Sequence, residues 1–262
     1  MNILFIGDIV GKLGRKALLR NLPLVIEKYD VSFVIANGEN ITNGKGMSPT
    51  HYEFLVNHGV DAITLGNHYL HQKEIYKVID NDEVVRPLNL LEEKHGSGSR
   101  IFDVDGVKIR VSNLLGTETS KIHQISDPYK SISEIIASDE SDIHIIDYHA
   151  EFTGEKKAFA YALKNSVSAI LGTHTHVQTR DAQKLSTGPL YITDVGMCGL
   201  YDSVLGTEKE SVVERIIFKN ESSKFKQLEK GKVLFSAVIL KFDDLTFEGK
   251  EIIPLYIISE ED

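Results

Sequence analysis

Ala169-Ile170-Leu171-Gly172-Thr173-His174-Thr175-His176 joins three apolar residues to a loop that carries two histidines. A short apolar run of this kind reads as a buried strand. Two imidazoles directly behind a strand can be aimed at one point, and neutral imidazole is the commonest metal ligand among side chains. A His-x-His pair alone is more often solvated than functional, so its weight comes from context. Here the context is four other apolar runs that end in the same way.

Moving outward, residues 2–6 read as a strand closed by Gly7-Asp8, and Ser32 to Ala36 as a second strand running into Asn37-Gly38-Glu39-Asn40. Asp61 to Leu65 is a third, ending in Gly66-Asn67-His68, and Asp142 to Asp147 a fourth, running into Tyr148-His149-Ala150-Glu151. Helices are expected over 13–29, where Leu18, Leu19, Leu22, Val25 and Ile26 make one apolar face and Pro23 predicts a break or kink. Others are expected from Ser48 with Pro49 at the first helical position, and over 72–79, 131–138 and 156–164. Residues 86–90 read as a short extended piece and 100–115 as a hairpin turning at Asp105-Gly106. Tyr191 to Thr193 is a strand ending at Asp194. Residues 211–218 fit helix or strand, 219–232 a polar loop, and 233–242 with 250–258 a closing strand pair. Strands alternating with helices predict an α/β fold with largely parallel pairing, and the periodicity by itself suggests one open sheet. With no repeat or linker, residues 1–262 are expected to form a single domain.

Composition narrows the function classes. Hydrophobic residues make up 42% of the chain, enough for a sizeable core. The net charge of −9 argues against stable nucleic-acid binding, which needs a basic stripe. An anionic small molecule stays compatible with it, because bound cations can dominate a local field. The single cysteine, Cys198, excludes an intramolecular disulfide and is expected to be inert. There is no secretory leader pattern and no stretch of membrane-spanning length, so the expected location is the cytoplasm, without a membrane partner.

In an open α/β sheet, ligands bind beyond the carboxyl ends of the strands. Five strand ends would deliver Asp8, Glu39, Asn40, Asn67, His68, His149, His174 and His176 to one rim. Taken singly, Asp8 and Asn67 fit turn residues, His149 a satisfied buried histidine and Glu39-Asn40 a cap. Taken together, they exceed what one tetrahedral ion uses. Mixed carboxylate, amide and imidazole donors suit two adjacent first-row ions bridged by Glu39, and the lack of thiolate disfavours iron–sulfur or cysteine-type zinc sites. Gly44 and Gly46 would allow backbone to approach a phosphate, although a plain turn is the simpler account.

The series Gly7-Asp8-Ile9-Val10-Gly11, Ala36-Asn37-Gly38-Glu39-Asn40, Gly66-Asn67-His68, His149-Ala150-Glu151, Gly172 to Thr179 and Thr193-Asp194-Val195-Gly196-Met197 resembles the calcineurin-like metallophosphoesterases. More narrowly, it resembles the bacterial YmdB-like family of 2′,3′-cyclic-nucleotide 2′-phosphodiesterases, from residue 3 to about 258. The resemblance implies a four-layer α/β/β/α sandwich of two mixed sheets flanked by helices. It implies two divalent or trivalent ions, iron or manganese before zinc. One would be held by Asp8, Glu39, Asn40 and His176, the other by Glu39, Asn67, His149 and His174. It also implies His68 as general acid, a bridging hydroxide as attacking group, a cyclic-nucleotide substrate (2′,3′-cyclic, with 3′,5′-cyclic in reserve) and a homo-oligomer, dimeric or tetrameric. Asn89 and Asp194 are expected to orient ligand imidazoles.

Two departures stand out. Many metallophosphoesterases carry Asp-x-His at the first motif, whereas here the third position is Val10, a vacancy Asn40 would fill. The family usually has Trp and Asp two and three positions after the acid, and this chain has Leu70 and His71. His71 is expected at the surface. The alternatives to a phosphodiesterase are a phosphomonoesterase or nucleotidase on the same fold, or a nucleotide- or protein-binding regulator with weak catalysis.

Overall fold

The computed structural model describes residues 1–91, 93–118, 122–186 and 188–260. In chain order the elements are β1 (Asn2–Ile6), β2 (Asp8–Ile9), α1 (Gly11–Tyr29), β3 (Val31–Asn37), α2 (Pro49–Asn57), β4 (Ala62–Thr64) and β5 (Val84–Val85). There follow β6 (Ser99–Val104), β7 (Val107–Leu115), α3 (Pro128–Ile136), β8 (Ile143–His149), α4 (Thr153–Ala162), β9 (Ala169–Thr173) and β10 (Gln183–Lys184). The chain ends with β11 (Leu190–Ile192), β12 (Met197–Leu200), α5 (Lys209–Val212), β13 (Val233–Phe242) and β14 (Gly249–Ser259).

The single open sheet suggested by periodicity gives way to two. One runs β2-β12-β13-β1-β3-β4-β5, with β14 paired to β13; the other runs β10-β11-β9-β8-β7-β6. In the first, β1, β3, β4 and β5 are parallel and β13 lies antiparallel to β1. In the second, β7, β8, β9 and β11 are parallel, with antiparallel β6 and β10 at the edges. Both are mixed sheets, as the resemblance implied.

Period-2 alternation explains why there must be two. In β1, Ile3 and Phe5 pack with Ile109, Val111, Ile145 and Leu171 of the other sheet, whereas Leu4 and Ile6 pack with Leu13, Leu18 and Leu22 of α1. The far side of the second sheet (Ile146, Tyr148, Ile170, Tyr191) is covered by Ile132 of α3, by Phe159 of α4 and by Leu163 at its C-cap. Strands apolar on both faces need a partner on each side, and here one partner is a sheet and the other a helical layer. The layer order is helix, sheet, sheet, helix.

Several local expectations are corrected. Helix α1 runs unbroken through Pro23. Pro23 and Leu19, whose carbonyl lacks its usual donor, are exposed, so water can serve that carbonyl. The helix expected over 72–79 is a five-residue 3-10 turn, Lys73–Lys77, with only Ile75 buried. The short extended piece expected over 86–90 turns at Leu88-Asn89 and ends in an isolated bridge between Leu90 and Ile125. The ambiguous 211–218 segment is α5 followed by a π-helical turn, Val213–Ile217. Among the described residues, no helix is long and apolar enough to cross a membrane.

Candidate metal centre

Each candidate side chain sits where a strand ends. Asp8 follows β1 after Gly7, a one-residue break at which pairing passes from β13 to β12. Gly7 N–H donates to Ser236 O (3.1 Å) and Asp8 N–H to Gly196 O (3.1 Å). A Cβ at Gly7 would lie 1.9 Å from Gly196 O, so only glycine permits this passage. Glu39 and Asn40 follow β3, Asn67 and His68 follow β4, His149 ends β8, and His174 and His176 follow β9. Asp8, Glu39, Asn40, Asn67 and His149 are all buried.

The side chains converge in two lobes. In one, His149 Nε2 lies 2.9 Å from Asn67 Oδ1, 3.2 Å from Glu39 Oε1 and 3.1 Å from His174 Nδ1. A single ring nitrogen cannot satisfy three such neighbours, and this crowding of lone pairs suits a cation. Donor atoms of Glu39, His149 and His174 all lie within 4.8 Å of one another. In the other lobe, His176 Nε2 lies 3.3 Å from Asn40 Oδ1 and 3.9 Å from Asp8 Oδ1. Asp8 Oδ1 is buried with no hydrogen-bond partner. An orphaned buried carboxylate oxygen is costly unless a cation or proton meets it. The donor set therefore fits a bound cation, with Asp8, Asn40 and His176 together in one lobe and Glu39, Asn67, His149 and His174 in the other.

The groups behind these side chains set their orientation. Thr173 Oγ1 donates to Asp147 Oδ1 (2.6 Å) and so accepts from His149 Nδ1 (2.8 Å), leaving Nε2 to face the cluster. Asp147 Oδ2 accepts from Asn37 Nδ2 (2.9 Å). His174 Nε2 faces the Glu151 carboxylate at 3.2 Å, which turns Nδ1 inward. Such partners of ligand imidazoles commonly matter nearly as much as the ligands. Sequence inspection missed Asp147, although it stands two residues before His149 on one strand and so shares its face.

The double-histidine loop is strained. His174 and His176 have φ of 95° and 66°, in the left-handed region. Such strain persists where surroundings over-determine the backbone. Asp194 Oδ2 accepts from Thr175 N–H (3.0 Å), Thr175 Oγ1 (2.7 Å) and Lys156 Nζ (2.8 Å). Lys156 Nζ also donates to Thr173 O at 2.6 Å, and both members of this ion pair are buried. Asp194 thus does position the loop, as expected. Asn89 instead ties Leu115 to Ser126 and touches no candidate ligand. Gly44 and Gly46, with φ of 85° and 74°, are turn residues.

The electrostatics are those of a buried charged cluster. Burial, opposed by His176 and His149, raises Asp8 to about 6. Burial acts to raise Glu39 too, but His149 and His68 outweigh it and hold Glu39 down at about 2. Burial would lower His149, yet Glu39, Asp8 and Asp147 carry it up to about 9. His68 lies beside this centre: its N–H donates to Glu39 Oε2 (3.0 Å), and its ring Nδ1 is buried without a partner. Burial pushes its ring down to about 4. His71 is exposed and packs edge-on to His68, with ring centres 4.6 Å apart.

A family profile described as YmdB-like protein matches residues 4–255. The chain belongs to the YmdB-like family. A 2′,3′-cyclic-nucleotide 2′-phosphodiesterase of Bacillus subtilis is 40% identical to this YmdB-like chain over 255 residues, 96% of the chain and 95% of the relative. The crystal structure of a phosphatase from Mycoplasma pneumoniae superposes with a TM-score of 0.94 at 37% identity, covering 100% of this chain and 94% of the other. A Thermus thermophilus 5′-nucleotidase precursor shares the fold alone: TM-score 0.58, 13% identity, 98% of this chain and 54% of the other. The YmdB-like chain is a hydrolase of the metallophosphoesterase type.

Proposed function

We propose that this chain is a dinuclear phosphodiesterase that opens nucleoside 2′,3′-cyclic phosphates. Water cleaves the 2′-oxygen–phosphorus bond and leaves a nucleoside 3′-phosphate. The observation that carries the proposal is the convergence of Asp8, Asn40 and His176 in one lobe and Asn67, His149 and His174 in the other, with Glu39 at the His149 lobe. Asp8, Asn40 and His176 would hold one ion, Asn67, His149 and His174 the other, and Glu39 both. Iron or manganese, with zinc as third choice, would polarise the phosphoryl group, neutralise its growing charge and lower the pKa of water. Thr173 and Asp147 keep His149 in one tautomer, and Glu151 fixes the His174 ring.

His68 supplies the proton to the departing 2′-oxygen. Its buried, unpartnered Nδ1 beside the centre supports that assignment. A bound phosphodiester anion favours the protonated ring, because a nearby negative charge stabilises the charged form. Residues 1–262 act as one domain, and the enzyme works on small molecules as a homo-oligomer. The buried lone Cys198 fits a reducing compartment such as the cytoplasm.

Elemental analysis of purified protein, combined with a hydrolysis panel of 2′,3′-cyclic, 3′,5′-cyclic and p-nitrophenyl mono- and diesters, tests the proposal. His68→Ala is expected to keep its metal and lose about 10²–10⁴-fold in rate. Full activity in that variant removes the acid role. The Mycoplasma relative described as a phosphatase favours a second reading, phosphomonoester hydrolysis, which the same panel distinguishes by faster turnover of monoesters.

A further inference from the structure

Two cavities flank the centre. One, of about 740 Å³, opens at His176 and includes Arg180, Tyr201 and Tyr256. The other, of about 650 Å³, is walled by Tyr69, Leu70, Tyr76, Glu93, His95 and His123. Both fall within the size range of small-molecule pockets, about 300–1,000 Å³. The chemistry of the proposed reaction distinguishes them.

In an in-line displacement, attacking and leaving oxygens lie on opposite sides of phosphorus. The leaving 2′-oxygen stays on the ribose, so the nucleoside remains on the side of the group that protonates it. Tyr69 and Leu70 directly follow His68, and His123 Nε2 lies 2.6 Å from the carbonyl oxygen of Asn67. The second cavity is therefore coupled to the acid's side of the centre. Its walls also carry the right chemistry. The rings of Tyr69 and His123 lie 5.4 Å apart, as do those of Tyr76 and His95. Glu93 Oε2 accepts from the Tyr69 hydroxyl (3.3 Å) and the Tyr76 hydroxyl (3.0 Å), so both rings are held in place before any ligand arrives. Leu70 is 37% exposed at the same wall.

We infer that the cavity beside His68 is a nucleobase subsite, in which the base of the cyclic nucleotide stacks against the exposed Tyr76 ring, with the buried Tyr69 behind that wall. The inference rests on the proposed activity and assigns the base-recognising part of the same site. Stacking tolerates any base because each has a π-face, so the subsite selects nucleotides over base-free phosphates and favours the larger purines.

The test compares adenosine 2′,3′-cyclic phosphate with base-free ribose 2,3-cyclic phosphate on the metal-loaded enzyme. It also compares calorimetric binding of adenosine 3′-phosphate with that of ribose 3-phosphate. The base is expected to lower KM and Kd by about 5- to 150-fold, the range one stacked base supplies. Tyr76→Ala is expected to bring both ratios toward one and Tyr76→Phe to preserve them, while Tyr256→Ala at the other cavity leaves them as in the wild type. Ratios near one in the wild type, or unchanged in Tyr76→Ala, overturn the inference, as does their loss in Tyr256→Ala. Turnover without base preference removes the subsite and leaves the activity. Base-dependent, Tyr76-dependent binding without turnover removes the activity and leaves the subsite.

Discussion

Replacing Lys156 with methionine keeps a long apolar stem but deletes the charge that faces Asp194. In the native protein Lys156 Nζ bonds Asp194 Oδ2 at 2.8 Å and Thr173 O at 2.6 Å, and both side chains are almost fully enclosed. The substitution leaves Asp194 as a buried carboxylate supported, among the described residues, by Thr175 and Gly196, with Thr173 O robbed of a donor. Breaking one partner of a buried ion pair typically costs about 3–5 kcal/mol. At about 2–4 °C per kcal/mol for chains of this size, Tm is expected to fall by about 6–20 °C. The same change loosens the Thr173–His176 turn, whose positive φ values depend on Asp194. Metal affinity should fall as well, by about 10–100-fold, as when other groups behind ligands are lost. Calorimetric melting and metal titration of Lys156→Met read the two effects separately. A variant that melts within 2 °C of the wild type and binds metal equally well would refute the view that this pair fixes the loop.

Three further outcomes follow from the geometry. A Cβ at Gly66 would lie 2.1 Å from Glu39 Oε2 and 2.5 Å from His149 Nε2, so Gly66→Ala should purify with sharply reduced metal content; wild-type stoichiometry would count against the site. Burial pushes His144 below its usual 6.5, against the pull of Asp139 at 2.7 Å. As pH falls, the unfolded chain takes up that proton first, so the stabilisation present above 6.5 is lost as pH drops through the depressed native value. Urea midpoints at about pH 7.5 and about pH 5.5 should diverge more for the wild type than for His144→Gln, and equal divergence would rule this group out. Burial pushes the Cys198 thiol up to about 12, so a disulfide reagent at about pH 8 should leave the native protein unmodified and titrate one thiol after denaturation.

The order His144, Asp139 and Ser112 also shows why side-chain connectivity alone does not make a site. Ser112 Oγ lies 2.8 Å from His144 Nε2, and His144 Nδ1 lies 2.7 Å from Asp139, the linkage of a serine hydrolase. Ser112 is completely buried, so no substrate reaches it.

Most strands, the helices α1, α2 and α4 and the candidate ligands were legible from local pattern, because apolar period and the residues following each strand are properties of short segments. The ends of β1, β3, β4, β8 and β9 carry their donors in the chain itself: Asp8, Glu39, Asn67, His149 and His174. What the chain order did not carry was the number of sheets. Ile3 and Leu4 look alike in sequence, yet one meets the second sheet and the other meets α1. Asp194 was legible at the end of its strand, but the other supports of the ligands and their pairings were not. Lys156 and Asp194 are 38 positions apart, and Asp147 and Thr173 are 26 apart. Hydrophobic periodicity is written within a turn or a strand, whereas a buried polar group finds its partner only once packing has excluded water and left it no other.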